Sequence, residues 1–207
     1  MYNDSLNMRT GPVSLRYRGR ETIMQETELA ILNGIQTACR SEFLDTVMPA
    51  LTRICNHGEI WIVLALVLLL FKKTRRTGAV VATALVLDLL CCNLLLKPLI
   101  ARVRPCDVNT AVQLLVAHPT DWSFPSGHAA SSFAATSALY ASHSHLWIPA
   151  FILALLICFS RLYLYVHWPS DVLAGGLLGI LLGFAGRWVW QRIESAVDRR
   201  DWCVRPQ

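Results

Sequence analysis

Apolar residues recur in long stretches along this chain, at 60–71, 78–96, 128–141, 146–166 and 172–190. Each is a candidate membrane-crossing helix. None reaches, without interruption, the roughly 18 apolar residues that would establish a span by itself. Upstream, Leu32, Ile35, Cys39, Phe43, Val47, Leu51 and Ile54 step by three or four, the period of an amphipathic helix. Gly34 and Pro49 interrupt that pattern. Such a helix either lies at the membrane interface or joins the bundle with little exposure to lipid. The pattern as a whole predicts an all-α, polytopic helical bundle.

Composition agrees. Of 207 residues, 54% are apolar and 16% charged, against about 45–50% and about 25% in soluble domains. This excludes a disordered chain, a disulfide-stapled miniprotein and a nucleic-acid-binding arm. Between residues 77 and 186 the only Asp, Glu, Lys or Arg are Asp88, Lys97, Arg102, Arg104, Asp107, Asp121, Arg161 and Asp171. Hydrocarbon demands such segregation, because an ion at the bilayer centre costs at least about 2.5–3.5 kcal/mol.

The net charge of +5 is not spread as a stripe for nucleic acid. Most cations fall in three clusters: Arg9, Arg16, Arg18 and Arg20; Lys72, Lys73, Arg75 and Arg76; and Arg187, Arg192, Arg199, Arg200 and Arg205. The positive-inside rule assigns all three to the cytoplasm. They share one side if 29–56 and 60–71 together make a round trip, which favours six crossings over five. The division expected is a cytoplasmic segment over 1–28, a membrane domain over 29–190 and a cytoplasmic tail over 191–207. No signal-peptide core is visible in the first thirty residues. The connections 97–125 and 166–171 then lie outside and 142–145 inside, so the polar chemistry gathers on the outer face.

Three blocks carry that chemistry. Lys97 is followed seven residues later by Arg104-Pro105; Pro125-Ser126-Gly127-His128 opens an apolar stretch; Ser160-Arg161 precedes His167 and Asp171. On a helix Lys97 and Arg104 would share a face, although Pro98 and Pro105 make a continuous helix doubtful. Lys97 offers a point charge and Arg104 a bidentate fork, and Arg161 adds a third cation. Three cations near the membrane without adjacent acids call for an anion, and a phosphate carrying about −1.5 to −2 suits them. Arg102 reads instead as an anchor snorkelling to headgroup level.

Ser126 caps the helix that Gly127 begins, and the free N–H groups there favour an anion. Asp171, four residues after His167 in the first turn following Pro169, can receive the imidazole Nδ1–H and leave Nε2 as a nucleophile. It can equally serve as a carboxylate stabilising the helix N-terminus; the two roles are compatible. His57, His118, His143 and His145 read as structural. Cys91, Cys92 and Cys158 read as packing residues, while Cys55 and Cys106 fall on one side and form a candidate pair. Gly175, Gly179 and Gly183 make a close-packing stripe. Asp88 and Asn93 read as inward-facing, hydrogen-bonded residues or as a polar relay, and Trp147, Trp188 and Trp190 as interfacial anchors.

The blocks K-x6-R-P, P-S-G-H and S-R-x5-H-x3-D, in this order, resemble the signature of the type 2 phosphatidic acid phosphatase superfamily. No motif position departs from it, and the resemblance spans about Asn33 to Gly186. It implies a helical bundle that cleaves phosphate esters or anhydrides without a metal or other cofactor. His167 would attack phosphorus and become a phosphohistidine, Asp171 would orient it, and His128 would protonate the leaving oxygen and later activate water. Lys97, Arg104, Ser126, Gly127 and Arg161 would hold the nonbridging oxygens. The spans argue for a lipid-linked substrate entering from the outer leaflet. The small size resembles bacterial members acting on undecaprenyl diphosphate, with phosphatidic acid or phosphatidylglycerol phosphate as the alternative. A lipid phosphotransferase and a headgroup-binding transporter are the competing readings; the paired His167 and Asp171 with a second histidine would be superfluous in the latter.

Overall fold

At the centre of the molecule stands α7 (Gly127–Ala141), a helix built largely of alanine, serine and threonine. The computed structural model describes residues 12–204, with side chains over 23–56 and 58–196. Arg9, Arg16, Arg18, Arg20, Arg199, Arg200, Arg205 and the His57 side chain therefore lie outside the described side chains. Every regular element among the described residues is helical.

From Ala129 to Leu139 every α7 residue except Phe133 is buried, as a helix ringed by others must be. Small side chains let the neighbours come close. α9 (Pro169–Val204) turns Gly175, Gly179 and Gly183 toward α7. A Cβ on Gly179 would stand 2.2 Å from the Ala130 carbonyl oxygen, and one on Gly183 would stand 2.5 Å from Ser137 Cβ. The glycine stripe is thus a seat for α7. Gly186 meets Ala84 of α4 (Arg75–Asp88) in the same way, and Gly78 of α4 meets α3 (Glu59–Leu70). With α8 (Trp147–Tyr163) these helices close a core around Trp61, Val80, Val81, Ala84, Leu139 and Ile157.

The outward faces are apolar too. Leu173, Leu177 and Leu181 of α9 are 69%, 65% and 67% exposed, and Ile62, Val63 and Leu66 of α3 and Ile152, Leu155 and Leu156 of α8 also face outward. Such contiguous apolar stripes suit hydrocarbon rather than water. Two helical stretches, Arg75–Val108 and Pro169–Ala196, are long and apolar enough to cross a bilayer, and α3 and α8 are apolar but shorter.

The chain differs from the sequence expectation in three places. The amphipathic pattern over Leu32 to Ile54 is two helices, α1 (Pro12–Cys39) and α2 (Glu42–Arg53), broken at Arg40–Ser41. Ser41 caps α2, its hydroxyl accepting from the Leu44 N–H at 3.3 Å. Gly34 and Pro49 are carried inside the two helices. Secondly, α1 runs unbroken through residue 28, and α9 through residue 190, so neither expected boundary coincides with a structural break. Thirdly, α4 passes into a π-helical segment, Leu89–Leu96, then into the short α5 (Lys97–Ile100). Ala101, in the left-handed conformation at φ +48°, ends it, and Arg104 is extended before α6 (Pro105–Val108). Lys97 and Arg104 therefore do not share one helix face.

Candidate active site

The elements deliver the three motif blocks to one end of the bundle. The turn at Ala101 folds Arg104 back beside Lys97, and both reach the carboxylate of Asp121, which lies in the segment before α7. Arg104 is 3% exposed, and its fork is fully engaged. Nε donates to the Asp121 carbonyl at 2.9 Å and Nη2 to the Asp121 carboxylate at 2.7 Å. Nη1 donates to the Val166 carbonyl and lies 3.3 Å from His167 Nε2.

That last contact fixes a proton. A guanidinium only donates, so His167 Nε2 accepts and the ring hydrogen sits on Nδ1. Nδ1 faces Asp171 Oδ2 at 3.5 Å, too long for a hydrogen bond, and has no other partner. The orienting contact expected between His167 and Asp171 is thus a close approach and not a closed bond. Burial first, then the charges of Arg104, Arg161 and Lys97, hold His167 well below the ordinary histidine range, so its imidazole is neutral.

Asp171 is fully buried and spoken for. It accepts from the Trp168 N–H at 3.0 Å, closing the first turn of α9 in the manner of a capping box, from Ser123 Oγ, and from Arg102 Nη1. Its helix-end role is therefore real. Arg102 is no snorkelling anchor: its side chain is only 20% exposed, bridges Asp171 and Glu28, and lies over the Trp168 ring at 5.0 Å. Glu28, from α1, also accepts from the Ser170 N–H at 2.8 Å.

Ser126 occupies the N-cap position of α7, but its hydroxyl makes no capping bond. Gly127 is closely faced by two polar side chains: a Cβ there would stand 3.1 Å from Asn93 Oδ1 and 3.8 Å from Lys97 Nζ. Arg161, 6% exposed near the end of α8, donates to Thr52 Oγ1 of α2, and no carboxylate lies within ion-pair distance among the described residues. Six buried side-chain atoms lack partners among the described residues. Four of them, Ser126 Oγ, His128 Nε2, Arg161 Nε and His167 Nδ1, belong to the motif residues. Buried polar atoms are normally satisfied. Unpartnered polar atoms on four residues that also carry the cations and histidines of the motif suit a polar ligand.

Glu28, Thr52, Arg102, Asp121 and Ser123 escaped the sequence reading. Arg102 and Asp121 stood out only as isolated charges in an apolar region; Glu28, Thr52 and Ser123 carry no local signal. Other calls resolve simply. Cys55 and Cys106 are both free, the first beside Ser132 and the second beside His118, so they do not pair. Asp88 is buried with Oδ1 unpartnered, not the hydrogen-bonded residue expected. Cys106, Asp107 and His118 bring three potential metal donors within 4.8 Å. The 2.7 Å hydrogen bond between the exposed side chains of His118 and Asp107 accounts for that grouping.

A stretch of 126 residues is 39% identical to a protein named undecaprenyl-diphosphatase from Sulfolobus acidocaldarius, covering 60% of this chain and 61% of that protein, less than two thirds of its length. Over 186 residues the chain is 32% identical to a lipid A 4'-phosphatase of Bacteroides thetaiotaomicron, covering 83% and 77% of the two chains. Among solved structures, the fold matches a transmembrane PAP2-type phosphatidylglycerolphosphate phosphatase from Bacillus subtilis with a TM-score of 0.67 and 28% identity, over 83% of this chain and 88% of that one. The model of the PAP2 superfamily matches residues 77–194, which hold all three motif blocks, and the chain belongs to that family.

Proposed function

We propose that this protein is an integral-membrane lipid phosphatase that removes a terminal phosphate from a lipid-linked diphosphate, undecaprenyl diphosphate being the substrate most in keeping with its relatives. The observation that carries this reading is the buried pair of a neutral His167 and Asp171 among Lys97, Arg104 and Arg161, with unsatisfied polar atoms on Ser126, His128, Arg161 and His167. Lys97, Arg104, Arg161, Ser126 and the Gly127 N–H hold the nonbridging oxygens. A phosphate that takes over Arg104 Nη1 frees the His167 Nε2 lone pair, which attacks phosphorus in line. The bond to the leaving oxygen breaks, His128 donates its proton to that oxygen, and Asp171 compensates the charge on the phosphorylated imidazole. His128 then takes a proton from water, the water oxygen attacks phosphorus, and the P–N bond breaks to release phosphate.

The domain extends from Glu28, whose carboxylate serves the Arg102–Asp171 pair, rather than from residue 29. α3, α4, α7, α8 and α9 cross the membrane, and the site faces the extracytoplasmic side, opposite the Lys72–Arg76 cluster. The cation clusters ask for a sixth crossing before Glu42, with the N-terminus inside. The contacts of Glu28 with Ser170 and of Gln36 with the Tyr163 carbonyl favour a second reading, in which this part of α1 lies along the site end.

The test is phosphate release by detergent-purified protein in EDTA from undecaprenyl diphosphate, phosphatidic acid and phosphatidylglycerol phosphate. Release from the first is expected to be fastest and to be inhibited by vanadate. His167→Ala should lose at least about 1,000-fold in kcat, as loss of a covalent nucleophile does. Full activity of that variant would overturn the nucleophile assignment, and strict Mg²⁺ dependence would count against the reaction.

A further inference from the structure

Two of the three site cations already hold an anion, and it comes from the protein. Asp121 places one carboxylate oxygen on Lys97 Nζ and the other on Arg104 Nη2, the second at 2.7 Å. Two oxygens of one planar acid thus bridge the two cations proposed to bind two nonbridging oxygens of a phosphate. The two cations are buried, with side chains 11% and 3% exposed, whereas the Asp121 side chain is 53% exposed. The carboxylate enters from the solvent side onto a buried cationic floor. Burial works to raise its carboxyl, but Lys97 and Arg104 outweigh that and bring it down to about 2, so it is ionised at every working pH. Its backbone carbonyl is separately held by Arg104 Nε at 2.9 Å. Rotation of the side chain alone therefore vacates the seat while the loop stays docked.

We propose that Asp121 is an internal anion that occupies the phosphate seat: monoanionic phosphodiesters leave it in place, and a dianionic terminal phosphate displaces it. The proposal rests on the phosphatase reading of the same site. Its physical basis is a competition at fixed effective concentration. A tethered carboxylate with one charge is a match for a phosphodiester with one charge, and it is already in place. A terminal phosphate carries about −1.5 to −2 near neutral pH and wins the same two cations by its additional charge. The contact keeps the seat closed to the phosphodiester headgroups that surround the protein. Without an internal competitor, Lys97 and Arg104 would bind the surrounding bilayer.

Binding and turnover separate the two claims. In the His167→Ala background, which does not turn over, calorimetric titration reads the affinities for inorganic phosphate and for dimethyl phosphate, a monoanionic diester. Asp121→Asn is expected to strengthen both by the same factor of about tenfold, because one internal competitor weakens every ligand of the seat equally. Asp121→Ala should act in the same direction, which guards against a defect peculiar to one side chain. Asp107→Asn removes a nearby charge that touches neither cation, and is expected to leave both affinities unchanged. In mixed micelles with the His167 protein, added phosphatidylglycerol should inhibit the Asp121→Asn enzyme competitively at concentrations that leave the wild type unaffected.

Unchanged affinities in both Asp121 variants, or an equal gain in Asp107→Asn, would overturn the proposal. Strengthened affinities in a protein whose wild type releases no phosphate from any lipid would sustain the anion competition and remove the reaction it was meant to serve. Normal lipid hydrolysis with unchanged affinities would do the reverse.

Discussion

At the residue scale the candidate site is a set of charges whose partners come from far along the chain. His167 and Asp171 are four residues apart and share one turn, but the groups that hold Asp171 do not. Arg102 and Glu28 lie 69 and 142 or more residues from their partners in the α9 turn, and Arg102 spans 74 residues to Glu28. A buried carboxylate keeps its orientation only while its lone pairs are occupied, and Arg102 supplies both the hydrogen bond and the countercharge. Arg102→Lys, which keeps the charge and loses the fork, is expected to lower kcat about tenfold with KM changed less than about threefold. Glu28→Gln should give a smaller fall of the same kind. A rise in KM with kcat intact would instead make Arg102 a substrate contact. The motif residues were legible because their chemistry depends on types at fixed spacing. Arg102, Glu28 and Asp121 were not, because spacing along the chain says nothing about which distant loop returns to cover a cation.

At the element scale, small residues decide how closely helices approach. The stripe Gly175, Gly179 and Gly183 was readable as a packing face from its i, i+4, i+8 repeat, but its partner was not. That partner is α7, and the approach is close enough that a Cβ on Gly179 would overlap the Ala130 carbonyl oxygen. Gly179→Ala is therefore expected to lower stability by about 1–3 kcal/mol, the usual cost of overpacking, seen as earlier thermal unfolding in detergent. Gly34 of α1 has nothing within 4 Å of its absent Cβ. Gly34→Ala should raise stability by about 0.5–1 kcal/mol, because alanine loses less conformational freedom in a helix. Equal effects of the two changes would contradict the packing account. The break between α1 and α2 was hidden because the apolar period of three and four continues across Arg40–Ser41. Its signal was Ser41 followed by Glu42 and Asp45, a capping residue with acids in the first turn. The π-helical segment before Lys97 had no such signal, and it helps set where Lys97 emerges.

At the scale of the whole molecule, small residues where α7 meets α9 and leucines on the outward faces suit the bundle to a membrane. Impermeant maleimide labelling of intact cells tests the orientation proposed above, using single cysteines in a cysteine-free background. Thr110→Cys on the site side should label without permeabilisation, and His145→Cys, between α7 and α8, only after it. A cysteine placed before Pro12 distinguishes the two readings of α1: protection in intact cells supports six crossings, and labelling supports α1 along the site end. The sequence by itself determined the helical class, the segregation of charge and the candidates for the reacting residues, since periodicity, hydrocarbon's intolerance of ions and the chemistry of phosphate all act on residue type and local spacing. Only the tertiary structure decided that Lys97 and Arg104 meet around a turn, that Arg102 and Glu28 hold Asp171, and that Asp121 sits on the cations. Those are contacts between loops and helix ends, and their geometry is set by how close α7, α8 and α9 can pack, which no local pattern in the chain records.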